Sequence, residues 1–184
     1  SSDSKVQIKA QRNILNVIRT STEGNKLNID FRSNTIVKGY SPIELHISAP
    51  SLEAIQMDCS GTVQVKGNLV SNNLFTEISS TGSLILDSVQ ITNELKAEVN
   101  GSGSINILSG QTATEDISIN GRGHCDAGAV KALHTVAKID GAGYARVYPL
   151  QTLSAYISGR GDLFYFGNPV ISSHISGSGK IVKL

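Results

Sequence analysis

The triplet Gly-x-Gly recurs five times in the second half of the chain, at Gly101/Gly103, Gly121/Gly123, Gly141/Gly143, Gly159/Gly161 and Gly177/Gly179. With the second glycine as anchor, Gly61 and Gly82 extend the series upstream, at successive spacings of 21, 21, 20, 20, 18 and 18 residues. A period of that length means one supersecondary unit stacked on itself, a solenoid.

The neighbours of the anchors say which kind. Four positions before them stand Met57, Ile78, Val99, Ile119, Ile139, Ile157 and Ile175; two positions after stand Val63, Leu84, Ile105, Cys125, Ala145, Leu163 and Ile181. Apolar residues two apart, with Gln64, Asn106, Asp126 and Arg146 among those between them, alternate as a strand does. No stretch has a convincing capped helical period. The expected fold is therefore all-β, a right-handed parallel β-helix of about 18–21 residues per turn with an irregular N-terminal cap. Straight strand parity would place both glycines of a triplet on the inner face, where a side chain would not fit. The column Asp58, Ser79, Asn100, Asn120, Asp140, Ser158 and Ser176 is small and polar throughout, and stacking would let it hydrogen-bond up the coil as scaffold.

Length supports one domain over 1–184, with 58–184 the regular turns and 1–57 opening strands and a cap. In the latter, Val6, Ile8 and Ala10 alternate, as do Leu27, Ile29 and Phe31, then Ile43, Leu45 and Ile47. Gly39-Tyr40-Ser41-Pro42 marks a turn, and Pro50 closes the strand carrying His46. Little capping material follows the last anchor, so the final turn is expected to lie open or to be covered by a second molecule.

The last turns carry a resemblance. Ile157-Ser158-Gly159-Arg160-Gly161-Asp162-Leu163-Phe164-Tyr165, then Gly167-Asn168-Pro169-Val170, then Ile175-Ser176-Gly177-Ser178-Gly179-Lys180-Ile181 resemble the family named "putative auto-transporter adhesin, head GIN domain". Val6 to Ile29 is similar to that family's early segment. The resemblance implies a β-helical secreted or envelope protein of Gram-negative bacteria and brings no catalytic residues with it.

Read for chemistry, the chain offers little. Cys59 and Cys125 stand three turns apart, about 14 Å along the axis, so a bridge within the chain is not expected and both read as small buried side chains. Neither has a partner at metal-ligand spacing, and no metal or cofactor is expected. The four histidines are scattered along the chain. Asn120-Gly121-Arg122-Gly123 lacks the third glycine and helix of a nucleotide loop. Arg160-Gly161-Asp162 spells a receptor-recognition tripeptide, but Gly161 is a repeat anchor, and the site should lie flat on a strand.

A formal charge of +1 with no basic run excludes an electrostatic nucleic-acid binder. No apolar run is long enough to cross a bilayer as a helix. Three classes remain. In the favoured one the chain is a non-catalytic secreted, surface or envelope protein that binds carbohydrate or protein through outward residues: Arg122, His124, Tyr144, Arg146, Arg160, Asp162 and Phe164, with Tyr148 and Lys180 beside them. A lipid anchor on a segment ahead of residue 1 is compatible with it. The second class is a structural or assembly component, for which a homodimer is compatible. The third, a polysaccharide-acting enzyme, needs converging carboxylates, and no two acidic residues are expected to share a column in adjacent turns from Cys59 onward.

Overall fold

The computed structural model describes residues 5–33, 35, 43–49 and 51–184. The chain divides into two compact units, residues 1–50 and 51–184. In the first, β1 (Lys5–Lys9) precedes a single helical turn, α1 (Arg12–Leu15), then β2 (Ile18–Glu23), β3 (Lys26–Phe31) and β4 (Glu44–Ser48). β2 and β3 form an antiparallel hairpin closed at Glu23 and Lys26, where Gly24 takes φ 58°. β1 pairs antiparallel with β4, Val6 opposite Ile47 and Ile8 opposite Leu45. The strands expected here are thus present but are not opening turns of the coil, because alternation fixes a strand and not its pairing direction. The turn expected at Gly39-Tyr40-Ser41-Pro42 and the strand end at Pro50 lie outside the described residues.

The second unit is the coil. It runs through β5 (Ala54–Met57), β6 (Thr62–Ile78), β7 (Ser83–Gly101), β8 (Ser104–Ile107), β9 (Gly110–Gly121), β10 (His124–Gly141), β11 (Tyr144–Gly159), β12 (Asp162–Tyr165), β13 (Val170–Gly177) and β14 (Ile181–Lys183). All ten belong to one sheet, and every pairing within it is parallel. About six turns are stacked, as the six intervals between seven anchors require.

Equivalent residues pair at one register, Ile119 with Ile139 and Ile139 with Ile157. The inner columns, among them Ile78, Leu84, Val99, Ile105, Ile117, Ile139, Leu153 and Leu163, are fully buried and form a continuous apolar core. Differences in turn length are absorbed away from the triplets, where the register slips, as between Gln90 and Glu94 and between Asp126 and Lys131.

At the triplets the backbone bends. Gly121 takes φ 127°, and a Cβ there would stand 2.6 Å from the Gly101 carbonyl oxygen of the previous turn. Burial nevertheless alternates through the bend: Ile119, Gly123 and Cys125 are buried, while Asn120 and Arg122 are exposed. The polar column bonds along the stack where two asparagines meet, Asn120 Nδ2 donating to Asn100 Oδ1 at 2.7 Å. The cysteines part company: Cys125 is buried and Cys59 is exposed, both as free thiols. Cys59 stands in the bend after β5, the first strand of the stack, with a coil turn on one side of it, so the expectation of burial fails there.

Candidate functional site

Register brings the sequence-selected outward residues together on one face of β10, β11 and β12. The position after each anchor stacks His124 on Tyr144 and Tyr144 on Asp162, while two residues further on Asp126, Arg146 and Phe164 stack in the same way. Between the paired glycines the variable residues are Arg122, Ala142 and Arg160, whose backbone N–H groups donate to the carbonyls of Gly101, Gly121 and Gly141. Arg122 and Arg160 therefore lie two rungs apart, about 10 Å, with an alanine between them.

The side chains interlock along and across the columns. The His124 and Tyr144 rings stack with centroids 4.7 Å apart and planes 6° from parallel. Tyr144 and Phe164 meet edge to face, 6.2 Å apart at 78°. The Arg146 guanidinium carbon lies 5.8 Å from the Tyr144 ring centre and 5.9 Å from that of Phe164, and its Nη1 donates to Asp126 Oδ2 at 2.7 Å. Asp162 Oδ1 accepts the backbone N–H of Lys180 at 2.9 Å. Partial burial holds the His124 imidazole below its usual pKa, Asp126 opposing that shift and Arg146 adding to it. Tyr148 lies apart from this group, packed on Phe166 at 5.8 Å beneath the Lys131 ammonium.

These residues frame an open depression of about 390 Å³, lined by Ala142, Gly143, Tyr144, Arg146, Arg160, Asp162 and Phe164. Ala142 makes the room, since it is the short side chain in a row otherwise flanked by arginines. Of the sequence-selected residues, Arg122 and His124 stand beside the depression rather than in its lining. The Arg160-Gly161-Asp162 tripeptide is pinned to the previous turn, where Arg160 N and Gly161 N donate to Gly141 O and Asp162 N to Gly143 O, so it forms no projecting loop.

The column rule for acidic residues fails at Glu77 and Glu98, which are register partners on β6 and β7. Both stand five positions before an anchor, a column left unread in the sequence. Glu77 accepts hydrogen bonds from Gln56, Ser79 and Asn100, and Glu98 pairs with Lys96 at 2.7 Å. A third acidic residue lies in another column that the sequence reading does not cover. Glu115 is fully buried in the core column of Leu95, Thr135 and Leu153, and burial pushes its carboxyl up to about 8 against the hydrogen bond from Thr135. Read eight positions before each anchor from Gly82 onward, Leu74, Leu95, Glu115, Thr135, Leu153 and Ile171 expose it as a carboxyl in a largely apolar column.

No cluster of three or more metal-ligating side chains is present among the described residues, and none of their helices is long and apolar enough to cross a membrane. A search of curated proteins returns no match. Among solved structures, the chain is similar to an adhesin of Bacteroides fragilis described as putative, at 24% identity and TM-score 0.87, over 100% of this chain and 84% of that one. A Parabacteroides merdae protein described in the same words gives 20% identity and TM-score 0.81 over 98% and 83%. A Parabacteroides distasonis protein described as a putative lipid binding protein gives 21% and 0.76 over 98% and 84%. At these identities the likeness establishes the fold. Membership rests on the sequence itself: residues 1–169 match the family described as "putative auto-transporter adhesin, head GIN domain", and the chain belongs to that family.

Proposed function

We propose that this chain is a non-catalytic binding module of the cell envelope or cell surface, which holds carbohydrate through the face of His124, Tyr144, Arg146, Arg160, Asp162 and Phe164. The observation that carries the reading is the partly exposed aromatic and arginine ladder beside an open depression of about 390 Å³. Rings with accessible apolar area pack against the C–H face of a sugar, and fixed guanidinium and carboxylate groups bond its hydroxyls. The rungs hold these side chains on strands rather than on loops, so little ordering is needed on binding. Membership of an adhesin family fits a surface role. Glu77 and Glu98, the facing carboxylates, are engaged with Gln56, Ser79, Asn100 and Lys96, which favours a structural role for them.

A glycan-array screen of the purified chain, with calcium present and absent, tests this reading. Selective binding that Tyr144→Ala abolishes is the expected result. Silence across the array in both conditions overturns the carbohydrate reading in favour of a protein partner.

A second reading, an assembly component, is favoured by β13. Its Val170–Gly177 segment pairs, among the described residues, only β11 and holds no Lys, Arg, Asp, Glu or Pro. Charge and proline are what commonly keep a free strand edge from pairing with another chain.

A further inference from the structure

The chain as a whole is close to neutral, at +1, and on the candidate face cations outnumber carboxylates. Arg122, Arg146, Arg160 and Lys180 gather there against three carboxylates, Asp126, Asp162 and, one residue ahead of Gly141, Asp140. Asp126 is matched by Arg146 at 2.7 Å, and one oxygen of Asp162 is turned to the Lys180 backbone N–H. Arg122 and Arg160 are exposed and in no ion pair among the described residues, Arg160 in the lining of the depression and Arg122 beside it.

We infer that this depression takes a saccharide carrying a negatively charged group, carboxylate or sulfate, with the charge on the Arg160 guanidinium and the sugar ring against Tyr144 and Phe164. The inference rests on the carbohydrate reading above and narrows it to a ligand class. A guanidinium presents two parallel N–H donors that match a carboxylate or a sulfate, and such charge-assisted bonds are about twice as strong as neutral ones. A neutral sugar would cover Arg160 without returning an anion to it and would lose the desolvation cost of that charge. Asp162 then discriminates in the other direction. Its carboxylate accepts from hydroxyls and repels a second anion, which favours a ring with one charged group and free hydroxyls over a densely charged polymer. Arg122, about 10 Å from Arg160, offers a second cation along the same face.

Binding of three probes to the intact chain by calorimetry tests this: a galacturonic acid oligosaccharide, the same oligosaccharide with its carboxyls reduced to alcohols, and a sulfated galactan oligosaccharide without carboxyls. Wild type should bind at least one charged probe about tenfold or more tightly than the reduced one, and the two charged arms tell carboxylate from sulfate. Arg160→Gln and Ala142→Leu should each weaken that binding about tenfold or more, one by removing the charge and the other by filling the depression. Both positions are on the outer face, and circular dichroism checks that the coil is retained. Equal binding of charged and reduced probes, lost in Ala142→Leu, overturns the charge requirement and leaves the carbohydrate reading standing. Charged-probe binding indifferent to both variants overturns the site. Failure of all three probes on an otherwise silent glycan array overturns both readings.

Discussion

Thr135 Oγ1 donates a hydrogen bond to Glu115 Oε2 at 3.0 Å inside the apolar core, one turn of the coil apart. Glu115 Oε1 makes no hydrogen bond, and both residues are sealed from solvent. A carboxylate there has one donor in place of a hydration shell, so the neutral acid is favoured and the pKa stands at about 8 rather than 4.5. Between those values the folded chain binds the proton more tightly than the unfolded chain. Stability from this group is therefore full below pH 4.5 and is lost as pH rises through 8, by up to about 1.4 kcal/mol per unit. Melting temperature should fall from pH 5 to pH 9 in the wild type and much less in Glu115→Gln. Parallel pH profiles for the two proteins would show that Glu115 is not buried as described.

The glycines divide into two kinds, and substitution should separate them. A Cβ on Gly103 would lie 2.5 Å from Ile78 Cγ2 and 2.7 Å from the Gly82 carbonyl oxygen, with core on one side and backbone on the other. Gly24, at φ 58°, has no atom within 4 Å of such a Cβ, so alanine there costs only backbone strain. Gly103→Ala should destabilise the coil by about 2 kcal/mol or more, and Gly24→Ala the hairpin by about 1. Denaturant titration reads the first, and hydrogen exchange over β2 and β3 the second. Equal, small losses would mean the stacked turns yield more readily than their spacing suggests.

The repeat was legible because each turn must place the same residue types against the same neighbours. Ile119, Ile139 and Ile157 announce themselves as a column, and Gly121 and Gly141 as the close approach between turns. The face of His124, Tyr144 and Arg146 was legible for the same reason, since outward parity and register follow once the anchor is known. Ala142 was missed, because a depression is made by what a side chain lacks, and only the arginines on either side show the gap. Glu115 was missed because the columns next to the anchor were read and the one eight residues before it was not. The antiparallel pairing of β1 with β4 was beyond reach, since Val6 and Ile8 alternate alike in either direction.

His124 gives the coil an acid-sensitive contact. Burial lowers its pKa, so between that lowered value and the usual 6.5 the unfolded chain binds the proton and the folded chain does not. Stability from this group is full above pH 6.5 and falls as acidification passes through the lowered value. His124→Phe keeps a ring on Tyr144 and removes the titration. The stability of wild type minus that of the variant should therefore decline on going from pH 7.5 to pH 5, measured by urea unfolding. A constant difference would mean that the stacked imidazole accepts a proton in the fold as readily as in the unfolded chain.

At β13 the inner columns end exposed. Ile171 pairs with Leu153 and Ile175 with Ile157, both buried, yet Ile171 and Ile175 are 39% and 42% exposed, with no strand of the described residues paired on their other side. Val170 is 76% exposed on the same uncharged strand. Two copies of residues 1–184 can pair antiparallel along this edge by a two-fold axis, each covering the other's isoleucines while supplying the missing ladder bonds. Sedimentation velocity should show association that grows with concentration, and Ile175→Lys should return the chain to monomer while its thermal unfolding stays cooperative, since lysine on a free edge opposes pairing. A wild-type chain monomeric at every concentration, or an association that Ile175→Lys leaves unchanged, would remove β13 as the pairing edge and with it the support for an assembly role.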